Sequence, residues 1–362
     1  MRNQVLFIIS IVASVIMTAE AQTTPPPPLF KPDTLTICVL GDMMMHTAQI
    51  NEAYKGDDRY DFSSYFHLIK DRISSADISV ANMEFTLSGE PYSGYPAFSA
   101  PDDFGKYLAD CGLDIFLTAN NHILDKGSQG AMRTLSQYRK LSETHGIYYC
   151  GTAESQEDRK QNNPLMIVRK GIRIALINFT YGTNLGSDMH WPKVNYMNDR
   201  TMIENALLES EAADFTLVLP HWGTEYCLVH SEQQQQTASW LIEKGADMII
   251  GSHPHVVQDC DTLSSVQVIY SLGNAVSNMS AENTQVGLMA TVRIAREDNG
   301  NITMLPTELT YLWCSRPGGY NNSYTVLPIK EFIGKRHLWT GAWDYDKMIR
   351  TYKTVKETTG IE

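Results

Sequence analysis

The run Ile249–Cys260, IIGSHPHVVQDC, decides how the chain reads. An apolar stretch opens it, a glycine breaks it, and two histidines, His253 and His255, follow on either side of Pro254. Imidazoles are proton carriers and metal ligands, and in open α/β sheets such groups collect beyond the carboxyl ends of strands. Pro254 stiffens the backbone between the two rings and gives each a fixed direction. The run therefore predicts a buried strand, Asp247–His255, that delivers two imidazoles to the rim of a sheet.

The same pattern recurs along the chain. Predicted strands are Thr34–Leu40, Asp77–Phe85, Leu113–His122, Ile172–Thr180, Asp214–Gly223, Asp247–His255 and Gln267–Val276. Predicted helices are Phe62–Ala76, Asp102–Gly112, Ser128–Gly146, Asp199–Ala213 and Ser231–Gly245. The last of these opens on Ser231 and Gln234, spaced as a capping box, and closes on Gly245. Strand and helix in alternation predict an α/β fold with a mainly parallel sheet covered on both faces. After Val286 the rhythm changes. Val286–Leu309 reads as two strands joined by a polar turn at EDNGN, hence an antiparallel end. Residues 34–315 read as one domain, and 316–362 as an aromatic C-terminal extension without a recognisable motif.

Polar groups gather where these strands end. Asp42 follows the first, and Asn82 and Glu84 end the second. Asn120, Asn121 and His122 end the third, with Asp125 three residues on. His221 ends another inside HWGTEY, with Glu225 nearby, and His253 and His255 end the next. Taken singly each has an ordinary reading: Asp42 as a turn residue, Asn82 as a turn donor, His221 as a hydrogen-bonded core histidine. Five strand ends converging on one rim point instead to a metal site. Imidazole, carboxylate and amide ligands without thiolate suit one or two divalent ions such as Mn, Fe or Zn.

The 362 residues are 43% hydrophobic and 19% charged, as in a globular protein, and the net charge is -12. An acidic surface argues against nucleic acid as a partner, because its field repels polyanions. The six cysteines form no C-x-x-C pair and read as buried thiols or incidental bridges. Residues 1–21 read as a signal peptide: Arg2, the apolar run Val5–Met17, then Ala19-Glu20-Ala21 with the small-x-small form of a cleavage site. The rival reading, an uncleaved membrane anchor, needs a longer run. Residues 22–33, with Pro25–Pro28, read as a stiff linker. The expected location is extracytoplasmic, periplasmic in a cell with two membranes.

GDMMMH, NMEF, ANNHILDKG, HWGTEY, GSHPHVVQ and YSLGN appear in that order. Together they resemble the bacterial capsule-synthesis CapA family, also called the poly-γ-glutamate synthesis family, related to the calcineurin-like metallophosphoesterases. The resemblance runs from about Thr34 to Met279. It implies a four-layered α/β/β/α sandwich with a dinuclear-type site. Asp42, Glu84 or Asn82, Asn121, His221, His253 and His255 would be ligands, and His122, oriented by Asp125, the acid near the leaving group. It also implies a phosphate-bearing substrate or anionic polymer, with a membrane polymer synthase as a possible partner. Two departures stand out. The related phosphoesterases carry D-x-H at the first motif, where this chain has Met44, with His46 displaced by two residues. Asn82 and Glu84 replace the usual Gly-Asp pair. A thioether is a poor ligand for a hard ion, so one metal position reads as weak, differently built or empty; the expected function is a metal-dependent hydrolase or transferase of an envelope or capsule polymer, with a non-catalytic polymer-binding accessory as the alternative.

Overall fold

The strand Thr34–Met43 shows why the chain folds in layers. Leu35, Ile37 and Val39 fall in one apolar cluster, while Cys38, Leu40 and Met43 fall in another. Side chains alternate across a strand, so a run that is apolar at both parities must be covered on both faces. The computed structural model describes residues 34–186, 190–297 and 299–362. The signal peptide and linker expected in residues 1–33 lie outside them.

Thr34–Met43 is central to a nine-stranded mixed sheet. Its main path runs Thr325–Pro328, Glu308–Ser315, Val286–Arg296, Thr34–Met43, Ile78–Met83, Ile115–Leu117, Tyr148–Cys150. Asn274–Val276 pairs parallel with Thr34–Met43, and Ile302–Met304 antiparallel with Val286–Arg296. A second sheet of six strands runs Cys260–Leu263, Val266–Ile269, Met248–Ile250, Phe215–His221, Ile172–Thr180, Leu165–Arg169. Its four middle strands are parallel.

The packing gives four layers. Leu35, Ile37 and Val80 of the first sheet share one core with Ile174, Leu217 and Ile250 of the second. The first sheet's other face meets Phe104, Leu108 and Leu135, from the helices Asp102–Asp110 and Gly127–His145. The second sheet's other face meets Ile203, Leu207 and Leu241, from Arg200–Ser210 and Glu232–Glu243. This is the α/β/β/α sandwich that the resemblance implied, and it corrects the single sheet implied by the pattern alone. Strands buried on both faces read alike in either sheet, so periodicity cannot divide them.

Several expected elements are shorter. The strand expected over Asp247–His255 stops at Ile250, because His253 (φ 100°) and His255 (φ 58°) take left-handed backbone that no strand accommodates. Gln267–Val276 is not one strand. Val266–Ile269 belongs to the second sheet and Asn274–Val276 to the first, with Gly273 at φ 66° between them. Leu113–His122 keeps only Ile115–Leu117 as strand, and Phe62–Ala76 keeps only Lys70–Ser74 as helix. The Ser231–Gln234 capping box is present. All six cysteines are free.

Residues 316–362 are continuous with the domain. Thr325–Pro328 adds the edge strand, and Trp339, Met348, Val355 and Ile361 join the core between the sheets. Asp344, fully buried, accepts from Trp313 Nε1 (3.0 Å), Ser315 Oγ (2.6 Å) and Trp339 Nε1 (3.3 Å).

Candidate metal centre

Asp42 enters the site because Gly41 lets two backbones meet. A Cβ at Gly41 would lie 1.8 Å from the Gly273 carbonyl oxygen, so only glycine fits there. The approach places the Asp42 N–H 3.0 Å from Gly273 O and Asp42 beside Asn274 in register. The neighbouring parallel strand brings Asn82, whose amide donates to Asp42 Oδ1 at 2.7 Å, and then Glu84. From the second sheet, Phe215–His221 ends in His221, and the loop after Met248–Ile250 carries His253 and His255.

That loop is fastened at each step. The His253 N–H faces Asp42 Oδ2 at 3.2 Å, and the Tyr226 N–H donates to Pro254 O at 2.8 Å. His255 Nδ1 lies 3.1 Å from Asn274 Oδ1, and His221 Nδ1 lies 3.0 Å from Ser252 Oγ. Two non-glycine departures into positive φ, at His253 and His255 on either side of Pro254, cost on the order of 1–3 kcal/mol each, and such strain persists where the surroundings hold it for function.

Three groups of potential ligand atoms result, each lying within 4.8 Å of one another: Glu84, His221 and His253; Asp42, Glu84 and His255; and Glu225, His253 and His255. Glu84 is common to the first two. Its Oε1 lies 3.7 Å from both His221 Nε2 and His255 Nε2, and has no hydrogen-bond partner. His253 Nδ1 is likewise buried without a partner. Asn121 adjoins the first group through a 2.8 Å contact between its Oδ1 and His221 Nε2. Asn82 is placed as a donor that orients Asp42.

The electrostatics call for a cation. Burial, then the charges of Asp42 and Glu225, push the Glu84 carboxyl well above its usual range. Burial, then the neighbouring His253 and His255, push His221 well down, and burial pushes His253 down to about 3. Neutral imidazoles with free lone pairs are the ligand form, and positive charge among them would let Glu84 ionise. The donor set, the two orphaned buried atoms and the shared carboxylate fit a divalent-metal centre. Imidazole and carboxylate ligands bond such ions at about 2.0–2.2 Å, which small side-chain shifts within these groups would reach.

His122 stands beside the cluster. Its Nδ1 lies 2.8 Å from Asp125 Oδ2 and its Nε2 4.0 Å from Glu84 Oε1. The Phe98 N–H donates to the same Asp125 oxygen at 2.8 Å, and the Phe98 ring meets His122 edge-on at 4.7 Å. A cleft of about 690 Å³ opens over the cluster, lined in part by Met44, His46, His122, Glu225 and Tyr226. Among the described residues, neither lysine nor arginine lines it. Met44 is buried at this wall, and His46 lies further along it, its imidazole held down to about 4 by burial. Asp42, Glu84, Asn121, His221, His253 and His255 thus come together with His122 and Asp125. Sequence reasoning did not assign roles to Asn274, Ser252, Phe98 and Glu225. Asn274 lies in the quoted YSLGN and Glu225 in HWGTEY, so a signal existed for both; Phe98 carried none.

The class defined by this fold and site is a two-sheet sandwich whose strand ends, from both sheets, bring together carboxylates and imidazoles that could hold a divalent metal. The chain belongs to the bacterial capsule synthesis protein PGA_cap family, whose sequence profile matches residues 36–279. It is 27% identical over 282 residues to the capsule biosynthesis protein CapA of Bacillus anthracis, an alignment covering 74% of this chain and 65% of that protein. It is 25% identical over 315 residues to the PGA biosynthesis protein CapA of Bacillus subtilis strain 168, covering 83% and 79% respectively. The chain thus spans just under two-thirds of the B. anthracis relative. Among solved structures, the Haemophilus influenzae NAD nucleotidase superposes with TM-score 0.43 at 14% identity, over 90% of this chain and 67% of that one. A 5'-nucleotidase from Candida albicans SC5314 gives 0.43 at 12%, over 88% and 58%. The family assignment rests on the sequence match.

Proposed function

We propose that this chain is an exported, metal-dependent hydrolase or transferase acting on an anionic or phosphate-bearing envelope polymer during capsule synthesis. The observation that carries this reading is the buried ligand set around Glu84 with the His122–Asp125 pair beside it. Asp42, Glu84 and His255 would hold one ion, and Glu84, Asn121, His221 and His253 a second, with Mn, Fe or Zn suited to these donors. Bound there, divalent ions supply Lewis-acid polarisation of a phosphoryl oxygen and lower the pKa of coordinated water.

The chain's own residues do the rest. Asp125 accepts from His122 Nδ1 and holds the ring with Nε2 towards the cluster, where it can protonate a leaving oxygen. The Phe98 N–H fixes the Asp125 oxygen, and the Phe98 ring fixes the imidazole plane. With no lysine or arginine lining the cleft among the described residues, attraction for an anionic substrate would fall to the metal centre and to neutral donors such as Asn184 and Asn278. A membrane polymer synthase is the proposed partner. Among the described residues no helix is long and apolar enough to cross a membrane.

The test is metal content per chain, measured by elemental analysis on the wild type and on His253→Ala. Two ions, reduced by the substitution, uphold the reading; none, with the fold intact, refutes it. A second reading is a non-catalytic accessory that binds the polymer, favoured by Met44 standing where an imidazole would complete one ion's ligands. Metal-dependent cleavage of polymer that His122→Ala abolishes without unfolding would exclude it.

A further inference from the structure

We infer that Glu225 is a third carboxylate ligand of this centre, joining the ion of Asp42, Glu84 and His255 from the cleft side, where it groups with His253 and His255. The inference rests on the metal reading above and extends it to a residue outside the six-residue set. Glu225 lies on the loop after Phe215–His221, accessible to solvent and lining the cleft. Its carboxylate and one nitrogen from each of His253 and His255 lie within 4.8 Å of one another.

The loop is held in this place from three directions. The next residue, Tyr226, takes φ 65° and donates its N–H to Pro254 O, midway between the two histidines. Gln258 Nε2 donates to Cys227 O at 3.0 Å and Val229 O at 3.3 Å, and Gln234 Nε2 in turn donates to Gln258 Oε1 at 2.8 Å. Gly223, at φ 96°, lets the loop pass the Gln234 amide, where a Cβ would come within 2.7 Å. A long carboxylate beside two imidazoles would need no such fastening if it only faced water.

An independent observation points to a ligand here. His253 is 3% exposed, and its Nδ1 is buried with no hydrogen-bond partner. An orphaned imidazole nitrogen costs about 1–3 kcal/mol of lost solvation unless something occupies its lone pair or takes its proton. Charge balance points the same way. Two divalent ions bring four positive charges against the two carboxylates Asp42 and Glu84, and Met44 adds none. Glu225 supplies a third negative charge from the solvent side of the cleft that Met44 also lines.

The test is Mn²⁺ titration of the mature chain by calorimetry and by electron paramagnetic resonance of free Mn²⁺, comparing wild type with Glu225→Gln. Melting in chelator checks the fold of the variant, and Glu225→Ala serves as a second variant should the amide itself coordinate. The expected result is a loss of at least about tenfold in affinity at one position, with the other unchanged. Two ions bound with equal affinity by wild type and both variants would overturn the role of Glu225 and leave the metal reading standing. A wild type that binds no Mn²⁺ or Zn²⁺ would overturn both.

Discussion

Replacing Glu84 with glutamine should change stability with opposite signs in the absence and presence of metal. Glu84 is fully buried, and its Oε1 has no hydrogen-bond partner. In chelator its carboxylate is desolvated next to Asp42, which is why its pKa stands well above the usual range. Without metal the carboxyl therefore holds its proton, a cost of folding that an isosteric amide, neutral at every pH, does not bear. Sparing the protein the cost of neutralising a desolvated carboxylate beside Asp42 is worth about 1–3 kcal/mol, the order attached to a buried polar group on mutational scales. For a domain of this size a kcal/mol moves the melting temperature by about 2 °C, so Glu84→Gln should melt roughly 2–6 °C above wild type in chelator. With Mn²⁺ at a hundredfold excess over Kd, each occupied position stabilises wild type by about 2.7 kcal/mol, or roughly 5 kcal/mol for two. The variant lacks the carboxylate common to both groups and should gain little, so the order of melting temperatures reverses. Differential scanning calorimetry with and without Mn²⁺ measures this directly. A variant less stable than wild type in chelator, yet raised equally by Mn²⁺, would refute the assignment of Glu84 as the shared ligand.

His122→Asn should lower metal-dependent turnover about 10²- to 10⁴-fold and leave metal content unchanged; equal loss of metal would make His122 a ligand instead. Burial holds His46 at about 4, below its ordinary 6.5, against the opposing hydrogen bond to Gln49. The folded state therefore resists protonation that the unfolded chain accepts, and stability present above pH 6.5 falls as pH drops towards 4. Urea titrations at pH 7 and pH 5 should show about 2 kcal/mol less of this loss in His46→Gln, and equal slopes would refute the assignment. Asp344→Ala leaves the donors of Trp313, Ser315 and Trp339 without their acceptor. It should cost roughly 3 kcal/mol or more in urea midpoint measurements, whereas a loss below 1 kcal/mol would mean that water replaces the carboxylate.

The α/β class and the strand ends that carry the candidate residues were legible in the sequence, because Asp42, His221 and His253 each follow an apolar run within three residues. What failed was continuity. Gln267–Val276 reads as one strand since both halves are apolar, yet the turn at Gly273 sends the halves into different sheets. The left-handed backbone of His253 and His255 has no sequence signal either, since positive φ at a non-glycine residue is imposed by tertiary contacts. Phe62, Tyr65, Phe66 and Ile69 recur at helical spacing because they face one core, although the backbone there forms turns. The tail after Arg316 looked unmotivated because its aromatic residues serve packing, which leaves no motif.

The residues that converge on Glu84 come from both sheets: Asp42 and Glu84 from one, His221 and His253 from the other. A cation held by both halves would therefore be a clamp across the sandwich, joining groups such as Asp42 and His253, which are 211 residues apart along the chain and in direct contact. Such a clamp closes only once the sheets have docked. Contacts made after the folding barrier slow unfolding more than they speed folding. Loaded protein should therefore unfold more slowly while refolding at nearly the metal-free rate, so that its persistence is set by the rate at which the clamp opens.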